Sequence, residues 1–171
     1  MIETKRLRCE PVEEHHAESM FSVLSDPRIY TYLPGKPPAS LEDLRRRYAF
    51  LSGGRSPDGS EYWLNWILFL RETDTAIGFW QATVRPDGRS SIAFVLDPTH
   101  WGQGLAHEAS VALIGHLFAR FEIDALGAEV HFDNHRSAAL VGRLGFRVVG
   151  QDLDEQDNLY ELRRTDWSVD A

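Results

Sequence analysis

Apolar residues near the start of the chain recur at helical spacing. The side chains that follow this spacing are Ala17, Met20, Phe21 and Leu24. The pattern predicts an amphipathic helix over residues 13–26, ended by Pro27. A second helix is predicted over residues 41–51, because Ser40 followed three positions later by Asp43 resembles a capping box.

The middle of the chain changes to short apolar runs that are typical of strands. Three such runs cover residues 61–71, 76–84 and 90–96, and the Pro-Asp-Gly between the last two is a strong hairpin signal. Helices and strands then alternate. The later elements are a helix over 104–121, a strand over 126–132, a helix over 134–144 and strands over 146–151 and 158–167.

This order of elements, with a short first strand within residues 4–12, predicts the fold class. An antiparallel meander followed by strand–helix–strand–helix–strand gives an α/β (α+β) domain over residues 1–171. Its central sheet is expected to be mixed but mostly antiparallel, with about seven strands. About four helices, two early and two late, should cover the faces of that sheet.

The composition restricts the classes of partner. The 18 basic residues against 26 acidic ones give a net charge of −8, which argues against broad nucleic-acid binding. No apolar run approaches the roughly 20 residues that cross a bilayer, so no membrane association is expected. With Cys9 as the single cysteine, a buried inert thiol and a cytoplasmic location are expected. No metal site is expected either, because His131 and His135 straddle a strand end and a helix start.

The segment between the strand at 90–96 and the next helix carries the main chemical signal. It reads DPTHWGQGLAHEA, with Gly102 and Gly104 where the helix begins. Glycines at a helix N-terminus let unpaired backbone N–H groups approach an anion, so Gly102, Gln103, Gly104, Leu105 and Ala106 can cradle a pyrophosphate. A tight strand-to-helix turn without a ligand is the alternative. A P-loop and a dinucleotide fingerprint both fit poorly, since Leu105 and Ala106 replace Lys-Ser/Thr and His107 replaces the third glycine.

Two segments together resemble a known family. FVLDPTHWGQGLAHEA is similar to the acyl-coenzyme-A-binding segment of the GCN5-related N-acetyltransferases (GNAT), with Trp101, Gly102, Gly104 and Ala106 at its fixed positions. NHRSAALVGRLGF resembles the Asn-x-x-Ser/Ala…Leu-Gly-Phe helix of the same family. The opening of the chain is similar to the branch that includes the ribosomal-protein N-terminal acetyltransferases (RimJ/RimL-like), so the resemblance spans nearly the whole chain.

The resemblance implies a GNAT fold and the transfer of an acetyl group from acetyl-CoA to a primary amine in a ternary complex. Trp101 to Ala106 would hold the diphosphate through backbone amides, and Gln103 stands where relatives often carry a basic residue. The backbone of Phe94, Val95 and Leu96 would pair with the pantetheine arm, with the Val95 and Leu96 amides as oxyanion donors. Asn134 would contact that arm, and it could equally serve only as a helix N-cap.

The groups that would move protons are less clear from the same resemblance. Val141 occupies the position where many relatives have a tyrosine that acts as the general acid. Ser91 occupies the position where many have a glutamate that acts as the general base. Ser137 is then the remaining general acid, with a merely tolerated polar residue as the alternative. A missing base favours an α-amine with a pKa of about 8 over a lysine amine near 10.4.

The acceptor is expected to be a peptide or protein N-terminus bound by the variable loops at residues 28–40 and after Gln151. Two other functions stay open: acetylation of a small amine such as an antibiotic or polyamine, and acyl-CoA sensing without catalysis. The oligomeric state does not follow from the sequence, and a homodimer is one alternative.

Overall fold

The computed structural model describes residues 1–168. The strands are β1 (Ile2–Glu3), β2 (Leu7–Pro11), β3 (Tyr62–Leu70), β4 (Thr75–Val84), β5 (Arg89–Leu96), β6 (Ala125–His131), β7 (Arg147–Asp152) and β8 (Asp157–Arg163). The helices are α1 (His16–Leu24), α2 (Leu41–Leu51), α3 (Leu105–Arg120) and α4 (His135–Arg143). Short 3₁₀ turns cover Pro27–Thr31, Pro98–His100 and Arg164–Asp166.

The strands form one eight-stranded sheet in the order β1-β2-β3-β4-β5-β6-β8-β7. Only β5 and β6 run parallel within the described residues, and every other pair is antiparallel. The predicted mixed, mostly antiparallel sheet with four helices is therefore confirmed. The additional strand is β1, whose two residues pair with Arg8 and Cys9 of β2. Two residues are too few to produce a recognisable alternation of apolar and polar positions.

The last strand is shorter than its sequence predicts. It ends at Arg163 rather than near residue 167. The Arg164 guanidinium turns away from the sheet and donates to the carbonyl oxygens of Phe118, Phe121 and Ile123. These contacts satisfy carbonyls at the C-terminal end of α3, where a cation also interacts favourably with the helix dipole.

The helices cover the sheet in two layers. On one face, α1 and α2 pack on β3, β4 and β5 around Met20, Leu44 and Val95. On the other face, α3 and α4 pack over residues such as Trp80 and Leu126. Leu113, Ile114 and Leu117 of α3 are completely buried, and each such side chain contributes about 1.5–3 kcal/mol by its removal from water.

Local sequence signals at the helix ends are confirmed. The Ser40 hydroxyl accepts a hydrogen bond from the Asp43 N–H at 3.1 Å, so it caps α2 as the capping box predicts. Gly145 adopts φ +91° after α4, and the Phe146 N–H donates to the Val141 carbonyl at 3.0 Å. Phe146 is buried, which completes the hydrophobic contact of this C-cap. Within residues 1–168 no helix combines the length and the apolar character needed to cross a membrane.

Candidate functional site

The loop between β5 and α3 owes its shape to two glycines. Gly102 and Gly104 both have φ +75°, a left-handed conformation that costs other residues roughly 1–2 kcal/mol. A Cβ on Gly102 would meet no atom within 4 Å, and one on Gly104 would meet only an Arg6 nitrogen at 3.6 Å. The glycines are therefore required by the backbone conformation and not by crowding.

This loop leaves a run of backbone donors without partners. The N–H groups of the six residues from Gly102 to His107 donate to no group in the described part of the chain, and the first such bond of α3 runs from the Glu108 N–H to the Gly104 carbonyl. The side chains of Ser40 and Asn134 cap α2 and α4, whereas α3 has a glycine as its N-cap. Unpaired donors together with the positive end of the helix dipole make this N-terminus suitable for an anion.

A gap opens in the sheet beside this loop. Strands β5 and β6 pair only over Arg89–Ser91 and Ala125–Gly127, and no pairs follow towards their carboxyl ends. The Asp97 N–H still donates to the Ile77 carbonyl of β4, and the Leu96 carbonyl accepts from the Trp101 indole. By strand alternation, the backbone groups of Leu96 face the gap, whereas those of Val95 face β4. This orientation favours Leu96 over Val95 as a donor to a group bound in the gap.

Strand β4 approaches β5 unusually closely at the same level. A Cβ on Gly78 would lie 2.1 Å from the Val95 carbonyl oxygen, a distance that no side chain can occupy. The absence of a side chain at Gly78 therefore lets β4 pack closely against the last residues of β5, next to the gap. No local sequence motif marks this glycine.

Three hydrogen bonds hold the loop in place. The Trp101 indole N–H donates to the Leu96 carbonyl at 2.8 Å and fastens the loop to the end of β5. The Gln103 amide donates to the Thr99 carbonyl at 3.2 Å, so this side chain folds back on its own loop. The Arg6 guanidinium donates to the Gln103 carbonyl at 2.9 Å. The amides of the loop are thus positioned before any ligand binds.

Arg6 belongs to an ion pair that sequence reasoning missed. Its guanidinium and its backbone N–H both donate to the Glu108 carboxylate at 2.7 Å, and the Thr4 hydroxyl donates to the same group at 2.6 Å. Partial burial alone would raise the pKa of Glu108, but the hydrogen bonds from Thr4 and Arg6 outweigh it and lower that pKa. The ionised pair joins the β1–β2 turn to the first turn of α3. No local sequence signal could reveal a contact between residues so far apart in the chain.

The loop before α3 and the first turn of α4 meet through a second arginine. The Arg136 guanidinium lies 4.2 Å from the centre of the Trp101 ring, a cation–π contact between the first turn of α4 and the loop. Among the described residues Arg136 has no carboxylate within 4 Å. It is an exposed positive charge next to Trp101, and no sequence motif marks it.

The first turn of α4 supplies the polar side chains on the other side of the gap. The Asn134 amide oxygen accepts from the Ser137 N–H at 3.2 Å, which confirms the N-cap role of Asn134. Ser137 is partly buried, and its hydroxyl makes no hydrogen bond within residues 1–168. Val141 is completely buried in the core beneath α4. Ser91 lies where β5 and β6 are still paired, below the gap.

Other chemical features of the chain lie away from this region. Cys9 is buried in the sheet, and burial raises the pKa of its thiol to about 12, which confirms an unreactive thiol. No group of three metal-ligating side chains occurs in the part of the chain that is described. A surface cavity of about 670 Å³ lies at the opposite end of α3, lined by residues that include Gly88, Phe121 and Arg164. It has no residue in common with the loop or the gap.

Comparison with known proteins identifies the family of this chain. Residues 6–147 match the family model described as an acetyltransferase (GNAT) domain. The uncharacterized N-acetyltransferase YoaA of Bacillus subtilis (strain 168) is 23% identical over 152 residues, which cover 88% of this chain and 84% of YoaA.

Solved structures share the fold at low identity. An acetyltransferase (GNAT family) from Bacillus anthracis superposes with a TM-score of 0.80 at 19% identity, covering 95% of this chain and 97% of that one. The ribosomal L7/L12 α-N-protein acetyltransferase RimL in complex with coenzyme A gives a TM-score of 0.77 at 20% identity, with 94% and 95% covered. The family model spans most of the chain, and the chain therefore belongs to the GNAT acetyltransferase family.

Proposed function

We propose that this acetyltransferase moves an acetyl group from acetyl-CoA to a primary amine, preferably the α-amine of a peptide or protein N-terminus. The observation that carries the proposal is the run of unpaired N–H groups from Gly102 to His107 directly beside the gap between β5 and β6. One end of this arrangement suits a diphosphate, and the other suits an extended thioester arm. The RimL complex with coenzyme A, which has the same fold, supports this assignment.

The cofactor would lie along residues that the sequence already indicates. The amides of Gly102, Gln103, Gly104, Leu105 and Ala106 would hold the diphosphate, and Trp101 would keep this loop on β5. The backbone groups of Phe94 and Leu96, which face the gap, would pair with the pantetheine arm as an exposed edge pairs with an added strand, whereas those of the expected Val95 face β4. Asn134 and Ser137 would face the arm from α4.

Arg136 would supply the positive charge that the loop itself lacks. The Gln103 side chain is neutral and turned towards Thr99, and the Arg6 charge is neutralised by Glu108. Arg136 stacks on the Trp101 ring beside the gap. Its guanidinium would leave this ring and form a hydrogen bond with a phosphate of the bound cofactor. A charge-assisted hydrogen bond to phosphate is about twice as strong as a neutral one.

The chemistry follows from groups placed around the thioester. When bound, acetyl-CoA supplies the carbonyl that the neutral amine attacks, so that a C–N bond forms and the C–S bond breaks. The Leu96 N–H would stabilise the oxyanion at the moment when charge develops. The amine loses one proton to solvent, and the departing thiolate gains one, for which Ser137 is the nearest hydroxyl in α4.

The expected acceptor follows from the lack of an assigned base. At pH 7.5 roughly a quarter of α-amines with a pKa of about 8 are neutral, against about one lysine amine in a thousand. An enzyme without a strong base therefore acts faster on N-termini. Ser91, in place of a glutamate, lies where the strands are still paired and offers no carboxylate. The cytoplasmic location and the homodimer stay predictions.

A second function is favoured by one observation. Val141 is fully buried where many relatives of this family carry an acidic tyrosine, so the usual proton donor for the thiolate is missing. A protein with this site could bind acyl-CoA as a sensor without turning it over. Small-molecule acetylation differs from the main proposal only in the acceptor.

Thiol release from acetyl-CoA, measured with a panel of amines, tests these functions together with calorimetric binding of CoA. We expect micromolar binding and faster release with an N-terminal peptide than with a peptide whose only amine is a lysine. Binding without release on any amine would favour the sensor. No measurable binding of CoA would overturn both functions, and equal rates on the two peptides would refute the preference for α-amines.

A further inference from the structure

A second stack bridges the gap on the face opposite Trp101 and Arg136. The rings of Tyr32 and His131 lie 5.3 Å apart, with an angle of 29° between their planes. Tyr32 directly follows the 3₁₀ turn at Pro27–Thr31, whose Ile29 packs in the same core cluster as Val95 of β5. His131 is the last residue of β6. The stack therefore connects the β5 side of the gap to the β6 side.

The face on which this stack lies follows from strand alternation. Ala128 and Val130 are buried in the core under α3 and α4, so His131 projects from the opposite face of β6. A cofactor whose diphosphate lies at the N-terminus of α3 occupies the α3 face. An amine must then approach the thioester from the other face, where Tyr32 and His131 meet.

His131 presents a hydrogen-bond donor at this position. Its Nδ1 accepts a hydrogen bond from the Asp133 N–H at 3.2 Å, which requires that nitrogen to be unprotonated. The neutral ring therefore carries its proton on Nε2, and Nε2 has no partner within residues 1–168. In this tautomer the His131 Nε2–H can donate a hydrogen bond to an acceptor atom, and Nε2 cannot act as a base.

We propose that His131 recognises the first carbonyl oxygen of a peptide acceptor through its Nε2–H, and that Tyr32 is a positioning residue that holds the imidazole ring by stacking. This inference rests on the proposed function and narrows the substrate class. A peptide N-terminus has a carbonyl oxygen two bonds beyond the carbon that bears the amine, whereas a polyamine or a lysine side chain has none nearby. The stack thereby selects amines that are attached to a peptide backbone.

The test compares two acceptors of matched amine pKa, a short peptide and a carbonyl-free fluorinated ethylamine. His131→Phe keeps the stack and removes the donor, so it should raise KM for the peptide about 2- to 12-fold, the range expected for one hydrogen bond. KM for the ethylamine and the Kd of CoA should not change. Tyr32→Leu should give the same selective increase, and Tyr32→Phe should restore wild-type values.

Tyr62→Leu provides the matched control, because Tyr62 is a similarly exposed tyrosine that contacts Phe121, away from the gap. It should change neither KM. If His131→Phe raises KM equally for both acceptors, or leaves KM for the peptide unchanged, the selection mechanism is overturned. The proposed function would still stand, provided that the wild-type protein acetylates the peptide. A wild-type protein that acetylates no amine would instead overturn the proposed function and this inference with it.

Discussion

Replacement of Gly104 by alanine is expected to weaken CoA binding without a steric clash. Gly104 has φ +75°, and an added Cβ would meet only an Arg6 nitrogen at 3.6 Å, which is ordinary contact. The penalty is therefore the left-handed conformation itself, roughly 1–2 kcal/mol. In the free variant the strained alanine moves this part of the loop out of the left-handed conformation, whereas bound CoA requires the amides in their wild-type alignment. The penalty should then appear as a Kd about 5 to 30 times higher, since 1.4 kcal/mol corresponds to a factor of ten.

Gly59→Ala is the matched control for this prediction. Gly59 has φ +74° and equally open surroundings, and it lies in the loop before β3. Its replacement should lower Tm by about 2–8 °C, as 1–2 kcal/mol does in a chain of this size, and leave the Kd of CoA unchanged. Calorimetry and thermal denaturation measure the two effects. If Gly104→Ala binds CoA like the wild type and merely melts earlier, as Gly59→Ala does, the loop does not hold the diphosphate.

Three further predictions address charge, pH and packing. Gln103→Arg should lower the Kd of CoA several-fold, and Gln103→Glu should raise it, because each adds a charge beside the bound phosphates. If both variants change the Kd equally in a calorimetric titration, no phosphate lies beside the loop. Burial lowers the pKa of His16 despite the carboxylate of Glu10, so the unfolded chain binds more protons below pH 6.5 and the free energy of unfolding should fall as the pH drops from 7.5 to 5.5. Chemical denaturation of His16→Gln should show a smaller loss over this range, and an identical loss would assign the effect to other groups. Leu113→Ala should cost about 2–5 kcal/mol of stability by opening a cavity under α3, with urea unfolding as the measurement and a loss below 1 kcal/mol as the contradicting result.

Local signals in the sequence were sufficient for most of the fold. The limits of α2 agree with the prediction to the residue, because the Ser40 cap and the glycines after Leu51 act within a few positions. The two hairpins and the C-cap at Gly145 are equally local. The order of strands is not a local property. No signal places β8 between β6 and β7, since that arrangement depends on which strand edges meet after the chain collapses.

The site divides in the same way between local and long-range information. The glycines of the loop and the Asn134 cap follow from short motifs, whereas the contacts of Arg6 with Glu108, and of Tyr32 with His131, join residues about a hundred positions apart. These contacts depend on side-chain geometry that only the folded sheet creates. A single sequence shows no covariation, so it gives no hint that these pairs exist.

The uncapped start of α3 is best explained as a region kept available for a ligand. A serine or asparagine N-cap stabilises a helix by about 1 kcal/mol, and this chain uses such caps on α2 and α4. At α3 it has instead two left-handed glycines and a run of N–H groups that donate to no group within residues 1–168. Arg6 and Trp101 nevertheless fix this loop at both ends, through Gln103 and Leu96. These contacts align the N–H donors of the loop before a ligand binds. The loop therefore loses little further conformational entropy when an anion binds to it.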